Sequence, residues 1–123
     1  MKEKTLTEYI RNYCHDKGFL FKKNHATAYG NRNFPDATIL ATTNGLYSEL
    51  LYCIPIAIFV EIKETGKYPR ENQVILINEL RQAKHFAFYC DSKESFHGGL
   101  SSIYSFLVYQ NKDIFNELPE RKP

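Results

Sequence analysis

The sequence predicts a single α/β domain over residues 1–123, in which helices flank a central mixed sheet. Three observations favour this class. A length of 123 residues is typical of one domain. An apolar content of 43% is enough for a buried core, which excludes a largely disordered chain. The hydrophobic patterns, read in order, give helix, three strands, helix, strand and helix, with no repeat or linker.

The first element is an amphipathic helix, because apolar residues between positions 6 and 14 recur at the spacing of one helical face. Thr5 and Glu8 have the spacing of an N-terminal capping box, and Gly18 is a suitable stop. A strand then begins at Phe19. A polar loop over residues 24–33 separates it from the next strand.

The middle of the chain is rich in strand-forming residues, and we expect strands over residues 34–40 and 56–63. Asn44-Gly45 is a strong hairpin signal, so residues 46–52 could form a return strand between them. Pro55 cannot donate to a ladder, and it should therefore lie at an edge or at the start of a strand.

The second half begins with Pro69, which suits the first position of a helix over residues 70–83. Gln73 shares one face of this helix with Leu76, Ile77 and Leu80, and so should point towards the sheet. Residues 85–90 form another strand. Gly98-Gly99 predicts a break before the helical spacing of residues 100–108.

Targeting signals are not evident in the sequence, and we expect a cytoplasmic protein with no membrane contact. The first seven residues are polar, and the longest apolar run, over residues 54–60, is far below the roughly 20 residues that span a bilayer. Cys14, Cys53 and Cys90 are odd in number and form no CxxC pair. They indicate reduced thiols rather than a zinc site or a disulfide framework.

The net charge of +2 is unevenly distributed along the chain. Residues 1–35 carry seven basic and three acidic side chains, residues 36–60 carry two acidic ones, and residues 61–123 are balanced. Positive charge therefore precedes Asp36. Lys22, Lys23 and Arg32 could contact a phosphate backbone, or they could simply be solvated.

Two acidic positions stand at the ends of predicted strands. Asp36 follows Pro35, and Glu61 and Lys63 end the most apolar strand, where alternation directs both to one side. Asp36 approaches them if the two strands pair. Two carboxylates, with the Ile62 carbonyl as a further ligand, can hold Mg²⁺ or Mn²⁺. Such an ion activates water and polarises a phosphodiester. The alternative is a solvated charged rim.

These residues resemble the motifs of the PD-(D/E)XK nuclease superfamily. The resemblance is closest to the VRR-NUC (virus-type replication-repair nuclease) group and to archaeal-type Holliday junction resolvases, and covers roughly residues 5–92. It is carried by Phe34-Pro35-Asp36, Phe59-Val60-Glu61-Ile62-Lys63, Gly66-Lys67, and Gln73 with Leu80 following. It implies a restriction-endonuclease-like αβββαβ core. It also implies metal binding by Asp36 and Glu61, a catalytic lysine at Lys63 and a site-facing amide at Gln73.

The chain departs from the family pattern in the first helix, after the second helix, and between Asp36 and Glu61, where the segment is longer than the usual minimum. Family members usually carry a glutamate in the first helix at the position occupied here by Thr7. Glu3, one turn earlier on the same side, is our candidate for the additional acid, through a water. Ala83-Lys84 stands where the family often has a glycine after the second helix.

The expected function is that of a divalent-metal-dependent endonuclease acting on DNA, with structured or branched DNA as its substrate. Lys22, Lys23, Arg32 and Lys67 are the candidate contacts with nucleic acid. Related stand-alone domains often act as dimers, so a homodimer is compatible with this length. The alternatives are a weakly active or inactive module that binds nucleic acid or protein, and an RNA-cleaving toxin or defence nuclease.

Overall fold

The computed structural model describes residues 1–24 and 33–119, which form an α/β domain with a four-stranded mixed sheet flanked by helices. The elements in chain order are helix α1 (Glu3–Lys17), strands β1 (Leu20–Lys23) and β2 (Ala37–Thr42), the single helical turn α2 (Thr43–Leu46), strand β3 (Pro55–Ile62), helix α3 (Glu71–Gln82), strand β4 (Phe86–Cys90), helix α4 (Lys93–Tyr109) and a 3₁₀ helix (Lys112–Phe115). The predicted class and order of the main elements are confirmed.

The sheet has the strand order β1-β2-β3-β4, with β3 and β4 parallel and the other pairs antiparallel. α1 and α4 cover one face through a core that includes Leu6, Ile10, Ile58, Val60, Ile62, Phe96 and Ile103. α3 lies on the opposite face. Because side chains alternate along a strand, the odd-numbered residues of β3 point to this second face.

α1 begins earlier than the predicted capping box, and that prediction was wrong. Thr5 and Glu8 lie inside the helix, whose N-cap is Lys2, and Glu8 instead pairs with Arg11 one turn later. The predicted stop is confirmed, since Gly18 ends α1 with a left-handed φ of 77°.

Residues 46–52 do not form a return strand, so the hairpin prediction was wrong. β2 pairs directly with β3, and Pro55 begins β3 as expected. Thr43 holds the connection instead: its hydroxyl donates to the Tyr52 carbonyl at 2.6 Å and accepts from the Ile54 N–H at 3.0 Å. A side chain thus replaces the strand ladder that the Asn-Gly signal suggested.

Two further boundaries differ from the prediction. Pro69 is not the first residue of α3, because the helix begins at Glu71 with Arg70 as its N-cap. Gly98-Gly99 does not break a helix but lies inside α4. A Cβ at Gly99 would come within 2.5 Å of the Phe88 ring, so this glycine allows α4 to approach β4 closely.

The backbone after α3 is left-handed at the position where the sequence motif leads us to expect a glycine. Lys84 has a φ of 67°, in the left-handed region that a glycine adopts without cost. None of the helices in the described segments is long and apolar enough to cross a membrane.

Candidate active site

The pairing of β2 with β3 brings the two predicted carboxylates together. Ala37 pairs with Val60, so one further step of the antiparallel register sets Asp36 opposite Glu61. Side chains at directly opposed positions have Cβ atoms about 4.5–5.5 Å apart. Asp36 is anchored there because its Oδ2 accepts from the Ile62 N–H at 2.9 Å. At this end of the β2–β3 ladder, the Ile62 N–H therefore donates to a side-chain carboxylate rather than to a backbone carbonyl.

Asn24 holds the segment that carries Asp36. Its backbone N–H donates to the Asp36 carbonyl at 2.6 Å. Its Nδ2 donates to the Pro35 carbonyl and to Thr38 Oγ1, both at 2.9 Å. In the sequence Asn24 begins a predicted polar loop, and its role in holding Asp36 was not predicted. The available signal was an asparagine at the end of a strand, since such side chains readily bind nearby backbone groups.

Glu61 is buried, with 1% of its surface exposed, and its two oxygens have different surroundings. Oε2 accepts from Gln73 Nε2 at 3.0 Å and lies 3.2 Å from Lys63 Nζ. Oε1 is also buried, and among residues 1–24 and 33–119 it has no hydrogen-bond partner. Burial, reinforced by the negative charge of Asp36, raises the pKa of Glu61 to about 8, and Lys63 opposes this shift.

Gln73 faces the site as the sequence predicted, and both ends of its amide are used. Its Oε1 accepts from the Arg70 N–H at 2.8 Å, while its Nε2 donates to Glu61. An amide has donors only on nitrogen, so these two bonds fix its orientation. Gln73 therefore connects the beginning of α3 to the buried carboxylate.

Lys63 follows the last residue of β3 and remains in line with β4, because its N–H donates to the Cys90 carbonyl at 2.9 Å. Its side chain is 18% exposed and is paired with Glu61, on the face that alternation predicted. The expected grouping of Asp36, Glu61, Lys63 and Gln73 is thus present in the structure.

The candidate nucleic-acid contacts are more dispersed. Lys22 pairs with Thr38, which places it on the sheet face that carries Glu61, whereas Lys23 pairs with Ala37 and lies on the face of α1. Lys67 is exposed in the turn after β3, where its N–H donates to the Glu64 carbonyl. Arg32 lies outside the described residues.

Glu3 lies in the first turn of α1, at the end of the sheet where β3 finishes. The adjacent Met1 carbonyl accepts from the Thr65 N–H at 3.0 Å, which fixes this position. The Glu3 side chain is exposed in a groove of about 360 Å³ that it shares with Lys4, Thr7, Glu8, Arg11 and Lys23. Within the described residues, no hydrogen bond or ion pair connects Glu3 to Asp36 or Glu61.

Asp36 and Glu61 fit a hard divalent cation. The unpartnered buried Oε1 of Glu61 is an available ligand, and opposed like charges favour a cation between them. The N–H and C=O of one strand residue point to the same side of the strand. The Ile62 N–H points towards β2, where it donates to Asp36, so the Ile62 carbonyl is also directed towards β2. Over residues 1–24 and 33–119, no cluster of three or more His, Cys, Asp or Glu side chains is present that could hold a metal.

Comparisons of this chain with protein-family models, curated proteins and solved structures gave no match. Functional inference therefore depends on the geometry of Asp36, Glu61, Lys63 and Gln73 and on the sequence motifs that contain them.

Proposed function

We propose that this chain is a divalent-metal-dependent endonuclease that uses Mg²⁺ or Mn²⁺ to hydrolyse phosphodiester bonds in DNA. The observation that carries the proposal is the unpartnered Oε1 of Glu61, buried opposite Asp36. A buried polar atom is rarely left without a partner, and two opposed carboxylates repel each other. A cation between them removes both costs.

Asp36, Glu61 and the Ile62 carbonyl would hold the metal. When bound, the ion supplies a positive charge that polarises the phosphodiester and lowers the pKa of a water ligand. The protein orients the two carboxylates in advance. Asn24 fixes the backbone around Asp36, and Gln73 fixes Glu61 Oε2. Such supporting residues commonly decide how well a ligand set binds its metal.

Lys63 supplies the positive charge that the protein itself brings to the reaction. Its ammonium lies 3.2 Å from Glu61 Oε2, and it is only partly shielded from solvent. From this position Lys63 can hold the attacking water or contact an oxygen of the scissile phosphate. In the transition state it then stabilises the negative charge that develops on the phosphate.

The substrate in this proposal is structured or branched DNA. Lys22 lies on the same sheet face as the carboxylates and can contact the backbone on one side of the cleaved bond. A homodimer would present two such sites, which suits paired cuts in a four-way junction. A metal ion would also offset the local negative charge that Asp36 and Glu61 otherwise present to DNA.

The second candidate is a binding module of the same fold with little or no activity. It is favoured by the pKa of Glu61, which is raised to about 8, because a protonated Glu61 can lie beside Asp36 without any metal. Titration calorimetry with Mn²⁺ at neutral pH separates the two candidates, since the module predicts no saturable binding.

The test of nuclease activity compares labelled duplex DNA, a four-way junction and single-stranded RNA in one buffer, with Mg²⁺, Mn²⁺ or EDTA. Asp36→Ala and Lys63→Ala should each reduce cleavage by at least about 100-fold, which is typical of lost electrostatic catalysis. Asp16→Ala and Lys112→Ala, at exposed positions, are the matched controls. Full cleavage by both site variants would refute the proposal, and preference for RNA would reassign the substrate.

A further inference from the structure

A second cavity, of about 340 Å³, lies along β4, an edge strand of the sheet. It is lined by residues of β4, α4 and the 3₁₀ helix, and by Arg81 of α3. Its polar lining includes Arg81, Ser95, Ser102, Ser105, Asn111 and Asp113. Asp36, Glu61, Lys63 and Gln73 do not line it, so the cavity is separate from the candidate active site.

Arg81 is a buried cation in the wall of this cavity, with 9% of its surface exposed. Its Nε donates to the Ala87 carbonyl at 2.8 Å, and its Nη1 donates to the Asn116 carbonyl at 2.9 Å. In the described part of the chain, no carboxylate lies within ion-pair distance of Arg81. Burial lowers the pKa of Arg81, and Tyr68 opposes this shift. A guanidinium has five N–H donors, and the described residues accept from two of them.

Two neutral donors in the same lining are also unused. Ser105 is half-buried, and among the described residues its hydroxyl has no hydrogen-bond partner. Asn111 accepts the Asp113 N–H with its Oδ1 at 3.1 Å, which fixes the amide, and no described residue accepts from the two hydrogens on its Nδ2. The cavity thus combines a buried positive charge with hydrogen-bond donors from two other elements.

We propose that this cavity binds a phosphate-type oxyanion, with Arg81 as its charged partner and Ser105 and Asn111 as neutral donors. Charge-assisted hydrogen bonds from arginine to phosphate are among the strongest in proteins. Asp113 is the one acidic side chain in the lining, and it lowers the affinity without pairing with Arg81. The oxyanion can be a free phosphate or a backbone phosphate of bound nucleic acid. The inference does not depend on nuclease activity.

The test titrates the protein with inorganic phosphate at constant ionic strength, monitored by calorimetry. Ser105→Glu places a carboxylate within the cavity as an internal competitor and should weaken phosphate binding at least about tenfold, the effect of losing one charge-assisted bond. Ser48→Glu adds the same charge at an exposed site and should bind phosphate like the wild type. Arg81 itself is not replaced, because its loss would leave two backbone carbonyls unpaired.

Removing the opposing acid gives the converse result. Asp113→Asn should tighten phosphate binding several-fold, about the effect of deleting one nearby like charge. Asp16→Asn makes the same change in net charge at an exposed position of α1, and it should leave phosphate binding unchanged.

A short DNA oligonucleotide with 5′-hydroxyl ends distinguishes a free phosphate from a backbone phosphate as the bound oxyanion. Weaker oligonucleotide binding by Ser105→Glu than by Ser48→Glu indicates a backbone phosphate, whereas an effect on inorganic phosphate alone indicates a free one.

The proposal is overturned by either of two results. One is the absence of saturable phosphate binding together with equal oligonucleotide affinity in Ser105→Glu and Ser48→Glu. The other is phosphate binding that Ser105→Glu leaves unchanged, which would place the anion elsewhere. Neither result bears on cleavage, so failure here is distinguishable from failure of the nuclease proposal.

Discussion

Replacing Glu61 by glutamine tests the central feature of the site, a buried carboxylate opposite Asp36. Burial first, and Asp36 second, raise the pKa of Glu61 from 4.5 to about 8. Between these pH values the folded protein retains a proton that the unfolded chain has released. The free energy of unfolding of the metal-free protein should therefore fall as the pH rises through this window. The full loss is reached above about pH 8.

The size of this effect follows from the shift. Each pKa unit corresponds to about 1.36 kcal/mol, so the interval from 4.5 to about 8 gives at most about 5 kcal/mol. A glutamine at position 61 carries no charge, and its carbonyl can still accept from Gln73 Nε2. Glu61→Gln should therefore lose the pH-dependent destabilisation while retaining the contact with α3.

The assay is urea unfolding in EDTA at about pH 5, 7 and 9, with Glu64→Gln as an exposed control three residues away. The wild type and Glu64→Gln should lose stability across this range, and Glu61→Gln should lose much less. Mg²⁺ at about 100 times its Kd should restore about 2.7 kcal/mol to the wild type at high pH, but not to Glu61→Gln. Parallel pH dependence of the wild type and Glu61→Gln would refute the reasoning.

Three other substitutions test the residues that support the site and the packing of the sheet. Asn24→Ala removes the Nδ2 bonds beside Asp36 and should weaken Mn²⁺ binding about 10- to 100-fold in calorimetry, with the unfolding transition retained. Gln73→Leu leaves Glu61 Oε2 with Lys63 alone and should cost about 1–3 kcal/mol in urea unfolding. Gly99→Ala forces a Cβ against Phe88 and should destabilise by about 1–3 kcal/mol. Gly98→Ala, with open space around it, should stabilise α4 by about 0.5–1 kcal/mol; equal effects of the two alanines would contradict the packing argument.

The sequence predicted the parts of the site that depend on strand alternation. Glu61 and Lys63 are two residues apart on one strand, so their shared face follows from local geometry alone. Asp36 joins them because β2 pairs with β3 in a register that sets apolar residues of both strands against the same core. The face of Gln73 likewise followed from helical periodicity.

The parts that could not be predicted depend on contacts between distant residues. Asn24 binds partners 11 and 14 residues away in the sequence, and no local pattern predicts contacts at that separation. Gly99 is read locally as a helix breaker, but its effect here depends on the distance between α4 and the Phe88 ring. Residues 46–52 follow a genuine turn signal, yet the hydrogen bonds of Thr43 give the chain a different route to Pro55.

The register also gives a physical reason for the proline that precedes Asp36. Continuing the ladder sets Pro35 opposite Ile62, in a pair whose backbone groups face each other. Proline has no N–H, so Pro35 cannot donate to the Ile62 carbonyl, and its own carbonyl is taken by Asn24. The Ile62 N–H therefore turns to the Asp36 carboxylate, and the Ile62 carbonyl points to the same side. A strand that ends in this way places an anchored carboxylate and the Ile62 carbonyl on the same side, and these are two of the three ligands proposed for the metal.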